Sequence, residues 1–225
     1  MEFLLDTANI DDIKKYQEII PLSGVTTNPS IIKKEGKADF FDRLAQIKKL
    51  IGDKRSLHVQ VVATTTKGIV ADAHAVLAKL GKDVYIKIPV NQAGLAAIKI
   101  LKKENVRITA TSIYTELQGF LAIAAGADYL APYYNRMENN NIDANKVISD
   151  LNQVINHEQR NTKILAASFH TVSQITSAIA NGAQAVTVAP SFIAEGLESH
   201  LITDAISDFT SDWESIFGKT TISTL

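Results

Sequence analysis

The chain has 225 residues, 46% of them hydrophobic, a formal net charge of −1 and no cysteine, which suits one large domain or two small ones with a sizeable core. Acidic and basic residues are interspersed, which argues against nucleic acid or an anionic membrane as the main partner, since both are usually met by a basic patch. The lack of cysteine excludes disulfides, thiol chemistry and thiolate metal sites.

The chain opens Met1-Glu2-Phe3-Leu4-Leu5-Asp6, with no basic stretch of the kind that begins a signal peptide. No apolar run reaches the roughly 18 residues of a membrane span. A cytoplasmic enzyme or binding domain is the expectation. Strand-like runs then follow one another at Phe3–Asp6, Gly24–Asn28, Leu57–Val62, Val84–Pro89, Arg107–Thr111, Asp128–Tyr133, Lys163–Phe169 and Ala185–Val188. Helical periodicity alternates with them, at about Ala38–Ile51, Lys67–Leu80, Gln92–Glu104, Tyr114–Ala125, Asp143–His157, Val172–Asn181 and Asp204–Ile216. Gly52, Gly81, Gly126 and Gly182 each follow an apolar helix face, where a left-handed cap suits glycine. The polar run Glu138-Asn139-Asn140-Asn141 reads as a solvated loop. Eight βα units without a long break predict an α/β chain folded as one (β/α)8 TIM barrel over residues 1–225, ending in a helical tail at about 204–225. The alternative, a doubly wound open sheet, usually carries a Gly-rich first turn, and Asp6-Thr7-Ala8-Asn9 is not one.

Within Val84-Tyr85-Ile86-Lys87-Ile88-Pro89-Val90, Lys87 is the only charge. Taking an ammonium out of water costs several kcal/mol. Desolvation also lowers a lysine's pKa and frees its lone pair to attack a carbonyl. The plain reading is a strand-end lysine that snorkels to solvent. The other strand ends favour the chemical one. In a barrel enzyme the site lies at the C-terminal ends of the strands, and those ends carry Asp6, Thr26 with Asn28, Gln60, Lys87, Thr111, Tyr133 and Ser168. The eighth, Val188-Ala189-Pro190, offers nothing ionisable. Singly these have plain readings: Asp6 can cap the helix that starts near Asn9, and the threonines can be strand formers. Together they suit Schiff-base chemistry. Lys87 is the nucleophile, Asp6 a proton acceptor, Tyr133 a phenol that exchanges a proton with a hydroxyl, Gln60 and Thr111 holders of a water, and Asn28 a partner for sugar hydroxyls. Two features suit phosphate: Ser168-Phe169-His170-Thr171 opens a helix, and Arg136 follows the sixth strand. The five histidines are scattered without metal-ligand spacing, so neither metal nor organic cofactor is expected.

Leu5-Asp6-Thr7-Ala8, Gly24-Val25-Thr26-Thr27-Asn28-Pro29-Ser30, Gln60-Val61-Val62-Ala63, Lys87-Ile88-Pro89-Val90, Ala131-Pro132-Tyr133 and Ala166-Ala167-Ser168-Phe169 resemble the transaldolase family, in order and from residue 2 to about 219. Within it the chain looks like the short fructose-6-phosphate aldolase branch. The resemblance implies Lys87 as the Schiff-base lysine, Asp6 as the proton-handling aspartate and Asn28 as a substrate ligand. It also implies Gln60, Thr111 and Tyr133 around a catalytic water, and Arg136 with Ser168 on phosphate. Transaldolases typically have glutamate and phenylalanine where Gln60 and Tyr133 stand. The residue after Ser168-Phe169, usually basic in the family, is His170. The expected reaction is reversible cleavage of fructose 6-phosphate to dihydroxyacetone and glyceraldehyde 3-phosphate. The alternatives are a transaldolase passing the three-carbon unit to another sugar phosphate, and a non-catalytic sugar-phosphate-binding barrel. The implied partners are small-molecule sugar phosphates and further copies of the chain in a ring-type homo-oligomer, which the apolar tail around Trp213, Ile216 and Phe217 would suit.

Overall fold

The computed structural model describes residues 1–36 and 39–225. Eight strands form a closed parallel barrel in chain order: β1 (Glu2–Asp6), β2 (Leu22–Thr26), β3 (Ser56–Gln60), β4 (Tyr85–Pro89), β5 (Ile108–Ile113), β6 (Tyr129–Pro132), β7 (Lys163–Ala166) and β8 (Ala185–Val188). Closure is made by β1 pairing with β8, Leu4 opposite Thr187. The expected (β/α)8 architecture is therefore the observed one. The helices are α1 (Ile10–Gln17), α2 (Pro29–Lys34), α3 (Phe40–Ile51), α4 (Thr66–Leu80), α5 (Gln92–Lys103), α6 (Glu116–Ala124), α7 (Tyr134–Asn139), α8 (Ala144–His157), α9 (Val172–Ala180), α10 (Pro190–Leu197) and α11 (His200–Phe217).

Local chemistry explains most boundaries. Thr65, Asn91, Asp143 and Thr171 each accept a first-turn amide at the start of α4, α5, α8 and α9. At α6, Thr115 and Gln118 form a reciprocal capping box. Gly52 and Gly81 close α3 and α4 with φ of 69° and 97°, a region costly for any residue with a Cβ. The start of the third helix expected at Ala38 lies outside the described residues; its apolar face, Leu44, Ile47 and Ile51, is buried. Several expectations change: β2, β3 and β6 end at Thr26, Gln60 and Pro132, one or two residues early, and the tail helix starts at His200. Glu138 and Asn139 belong to α7 rather than to a loop, because Tyr134 and Met137 on the same short helix are buried. The seventh strand stops at Ala166, three residues early, where the backbone approaches a left-handed turn at Ser168. Asp6 caps nothing: the Asn9 side chain accepts the amides of Asp11 and Asp12 at 3.0 Å each.

The chain divides into two compact units, Met1–Pro190, which holds the barrel, and Ser191–Leu225. In the second, the Trp213 indole donates to the Thr220 carbonyl at 2.9 Å and its ring lies 4.6 Å from that of Phe217. Among the described residues no helix is long and apolar enough to cross a membrane.

Strand alternation sorts the barrel interior into layers. Leu4, two residues before Asp6, clusters with Tyr129, Leu165 and Ala185, and Tyr85, two before Lys87, packs against them. His58, fully buried, stacks on Tyr85 with centroids 4.6 Å apart and pairs through Nδ1 with Thr109 Oγ1 at 2.8 Å and through Nε2 with Ser56 Oγ at 2.9 Å. Burial, with the Lys87 charge above it as a smaller cause, holds the His58 pKa well below its usual 6.5. His58 is thus neutral in the fold, while in the unfolded chain it takes up a proton below pH 6.5. The unfolded state then binds more protons, so stability is lost as pH falls through that value. Urea unfolding between pH 7 and 5 will show a loss approaching about 1.4 kcal/mol per pH unit from this group, and His58→Gln will flatten that slope.

Candidate active site

At the C-terminal mouth of the barrel, Asp6, Asn28, Pro29, Ser30, Lys34, Gln60, Lys87, Ser112, Tyr133, Arg136 and Ser168 line a cavity of about 390 Å³, together with Ile31 and Ala167. Register assembles this ring. Asp6 lies opposite Thr26, Gln60 opposite Lys87, and Lys87 opposite Thr109, so adjacent strands deliver their inward residues at matched heights. Lys87 is 3% exposed, at the cavity floor, with β3 and β5 on either side.

Asp6 is the carboxylate that answers Lys87. Loss of water raises its pKa above the usual 3.8; the Lys87 charge, the Thr26 hydroxyl and the Lys34 charge pull the other way. Thr26 Oγ1 donates to Asp6 Oδ1 at 2.5 Å and lies 2.6 Å from Thr187 Oγ1. The single hydroxyl hydrogen of Thr26 is committed to Asp6, so Thr187 must be the donor to Thr26. Across the mouth, Thr111 Oγ1 donates to the Tyr133 phenol oxygen at 3.1 Å. That leaves the phenol its own proton to exchange with a substrate. The Arg136 guanidinium sits over the Tyr133 ring at 4.9 Å, and its Nη1 donates to Tyr114 Oη at 3.4 Å. Asn28 caps α2 through Oδ1, which accepts the Ile31 amide at 3.0 Å, so its NH2 remains to donate. Gln60 Oε1 is buried with no hydrogen-bond partner among the described residues, a costly arrangement unless a bound group donates to it.

Of the residues singled out from the sequence, Asp6, Asn28, Gln60, Lys87, Tyr133, Arg136 and Ser168 line the cavity. Thr26 and Thr111 sit just behind it, fully buried, each bonded to a lining residue. His170 is not brought in: it is exposed and absent from the lining, and its amide donates to Gln174 Oε1 at 2.7 Å as part of the turn into α9. Three contributors were missed. Lys34 reaches the cavity from the end of α2. Thr187 supplies a buried hydroxyl from β8, one residue before the strand end. Ser112 lines the cavity with φ of 57°, and Ser168 does so with φ of 62°. Such left-handed conformations cost a non-glycine residue about 1 kcal/mol or more and gather at functional sites. Among the described residues no three or more His, Asp or Glu side chains come together where they could hold a metal ion.

Comparison with known proteins agrees with this geometry. The Transaldolase/Fructose-6-phosphate aldolase family matches residues 3–220. A protein of Streptococcus pneumoniae named probable fructose-6-phosphate aldolase is 53% identical over 213 residues, covering 95% of this chain and 96% of the relative. Among solved structures, an inosine 5'-monophosphate dehydrogenase of Legionella pneumophila superposes with a TM-score of 0.57 at 14% identity, over 85% of this chain and 58% of that one. A designed cube-shaped protein cage built by fusing symmetric oligomeric domains gives 0.58 at 13% identity, over 94% and 77%. These two structural likenesses speak to the barrel alone. The extent of the family match and the identity to the streptococcal protein establish that this chain belongs to the transaldolase/fructose-6-phosphate aldolase family.

Proposed function

We propose that the chain is a class I aldolase that reversibly cleaves fructose 6-phosphate to dihydroxyacetone and glyceraldehyde 3-phosphate. The observation that carries this reading is Lys87, 3% exposed at the floor of a polar cavity and facing a carboxylate and a phenol. The Lys87 amine adds to the C2 ketone. Asp6 starts ionised, takes the proton lost by the nitrogen and passes it to the departing hydroxyl, and loss of water leaves an iminium. Tyr133 takes the proton of the C4 hydroxyl as the C3–C4 bond breaks, and the bonding electrons enter the iminium to give an enamine. Glyceraldehyde 3-phosphate leaves. The enamine gains a proton at C3, water held by Gln60, Thr111 and Tyr133 adds to the iminium, and dihydroxyacetone departs with Lys87 restored. In this reading Asn28 donates to sugar hydroxyls, while Arg136 and Ser168 hold the phosphate. Ring-type assembly belongs to the same reading and is supported by Leu201, Ile206, Phe209 and Ile216, which α11 leaves exposed.

Borohydride added with dihydroxyacetone will trap a reduced adduct that peptide mass spectrometry places on Lys87, and Lys87→Ala will lose both adduct and turnover. An adduct on another lysine would sink the mechanism. Tyr133→Phe will slow cleavage by about 10²-fold or more, the usual size of general acid–base help, while adduct formation persists; product analysis with and without erythrose 4-phosphate separates cleavage from transfer. The acid limb of kcat reports Asp6. Because the Thr26 bond holds the Asp6 pKa down against burial, Thr26→Val will move that limb to higher pH; a limb that stays in place or moves to lower pH contradicts the assignment.

A further inference from the structure

Strand geometry alone would turn Ser112 away from the cavity. On β5 the inward residues are Thr109, which meets His58, and Thr111, which meets Tyr133. Alternation therefore points Ile108, Ala110 and residue 112 outward, and the first two are indeed fully buried on the helix side. Ser112 lines the cavity because the backbone breaks the alternation. Its φ is 57°, and the pairing of β5 with β6 slips between Thr111 and Ile113. Gln118 holds the kink. Its Nε2 donates to the carbonyls of Val90 and Ser112 at 2.9 and 3.2 Å, and its Oε1 accepts the Tyr114 amide at 2.9 Å.

Glycine would adopt this turn without strain, so the turn gains nothing from a serine. Nor does the Ser112 hydroxyl hydrogen-bond to any other described residue, although the residue is only half-exposed. Its place in the ring is specific. β5, β6 and β7 are neighbours in the barrel; Ser112 is the last residue but one of β5, Arg136 lies in α7 just past β6, Ser168 stands two residues past β7, and all three line one cavity. Both serines are left-handed, so the same backbone device brings a serine to the cavity on each side of the strand that leads into the arginine's helix.

We propose that Ser112 is a substrate-binding residue: its hydroxyl donates to the phosphate of the phosphorylated three-carbon aldehyde and completes, with Arg136 and Ser168, a three-point anion subsite. The subsite rests on the aldolase reading for its substrate, but its ligand chemistry can be tested without turnover. Glycerol 3-phosphate is the probe and glycerol the control, each titrated calorimetrically into the full-length protein. Ser112→Ala keeps the Cβ and removes only the hydroxyl; Ser112→Gly removes the hydroxyl and relieves the turn. Both will bind glycerol 3-phosphate about 10-fold more weakly than the wild type, a factor equal to about 1.4 kcal/mol, with glycerol unaffected. In aldol synthesis both will raise KM for glyceraldehyde 3-phosphate and leave KM for unphosphorylated glyceraldehyde unchanged. Unaltered glycerol 3-phosphate affinity in Ser112→Ala overturns the proposal. So does weakening confined to Ser112→Gly, which would assign the effect to the backbone, and so does failure of the wild type to bind the probe. Borohydride trapping at Lys87 is read separately: its failure defeats the aldolase reading, while the titration still decides Ser112.

Discussion

An amine held out of water inside a closed sheet is the constraint on which the site depends. Lys87 cannot reach solvent along the barrel axis, because Tyr85, Tyr129 and Leu4 fill the layer beneath it. An isolated buried ammonium would cost several kcal/mol. The groups around it answer that cost. Asp6 stands across the mouth with a hydroxyl fixed on it, and His58 below is kept neutral by the same burial and by the same charge. The polar ring and the apolar plug are thus two sides of one solution, in which the upper layer lines the cavity and the lower is given to packing.

Parallel closure is what makes the ring possible. Each strand ends at the same face, and matched register sets Asp6 beside Thr26 and Gln60 beside Lys87. The amphipathic helices hold this face by burying one stripe each, as α8 does with Val147, Ile148, Leu151 and Ile155. Little conformational choice is left to the inward side chains, and Tyr133 is restrained further by Thr111, Tyr114 and Arg136 on three sides. Side chains restrained in this way meet a ligand without first being gathered.

Much of this was legible in the residues. The one charge in an apolar run that reads as a buried strand singles out Lys87, and polar residues at successive strand ends single out Asp6, Gln60, Thr111 and Tyr133. The rest was hidden for particular reasons. Thr187 looks like any strand threonine, and only the closure of β8 on β1 sets it against Thr26. Lys34 ends a two-turn helix too short to show a period. Ser112 lies at an outward position by alternation, and nothing local marks the left-handed turn that reverses it. His170 stands apart from the ring: the turn into α9 directs its amide to Gln174 and leaves it exposed, outside the cavity lining.

The chain of hydroxyls from Thr187 through Thr26 to Asp6 crosses the seam where the last strand meets the first. Each hydroxyl has one hydrogen, so the chain has a direction, pointing toward the carboxylate. A barrel that opened between β8 and β1 would break its first link before disturbing the pairing of β1 with β2. The integrity of the closed sheet is therefore registered one bond away from Asp6: a protein that has begun to unzip at its seam leaves the hydroxyl that donates to this carboxylate without its own donor, while most of its strands are still paired.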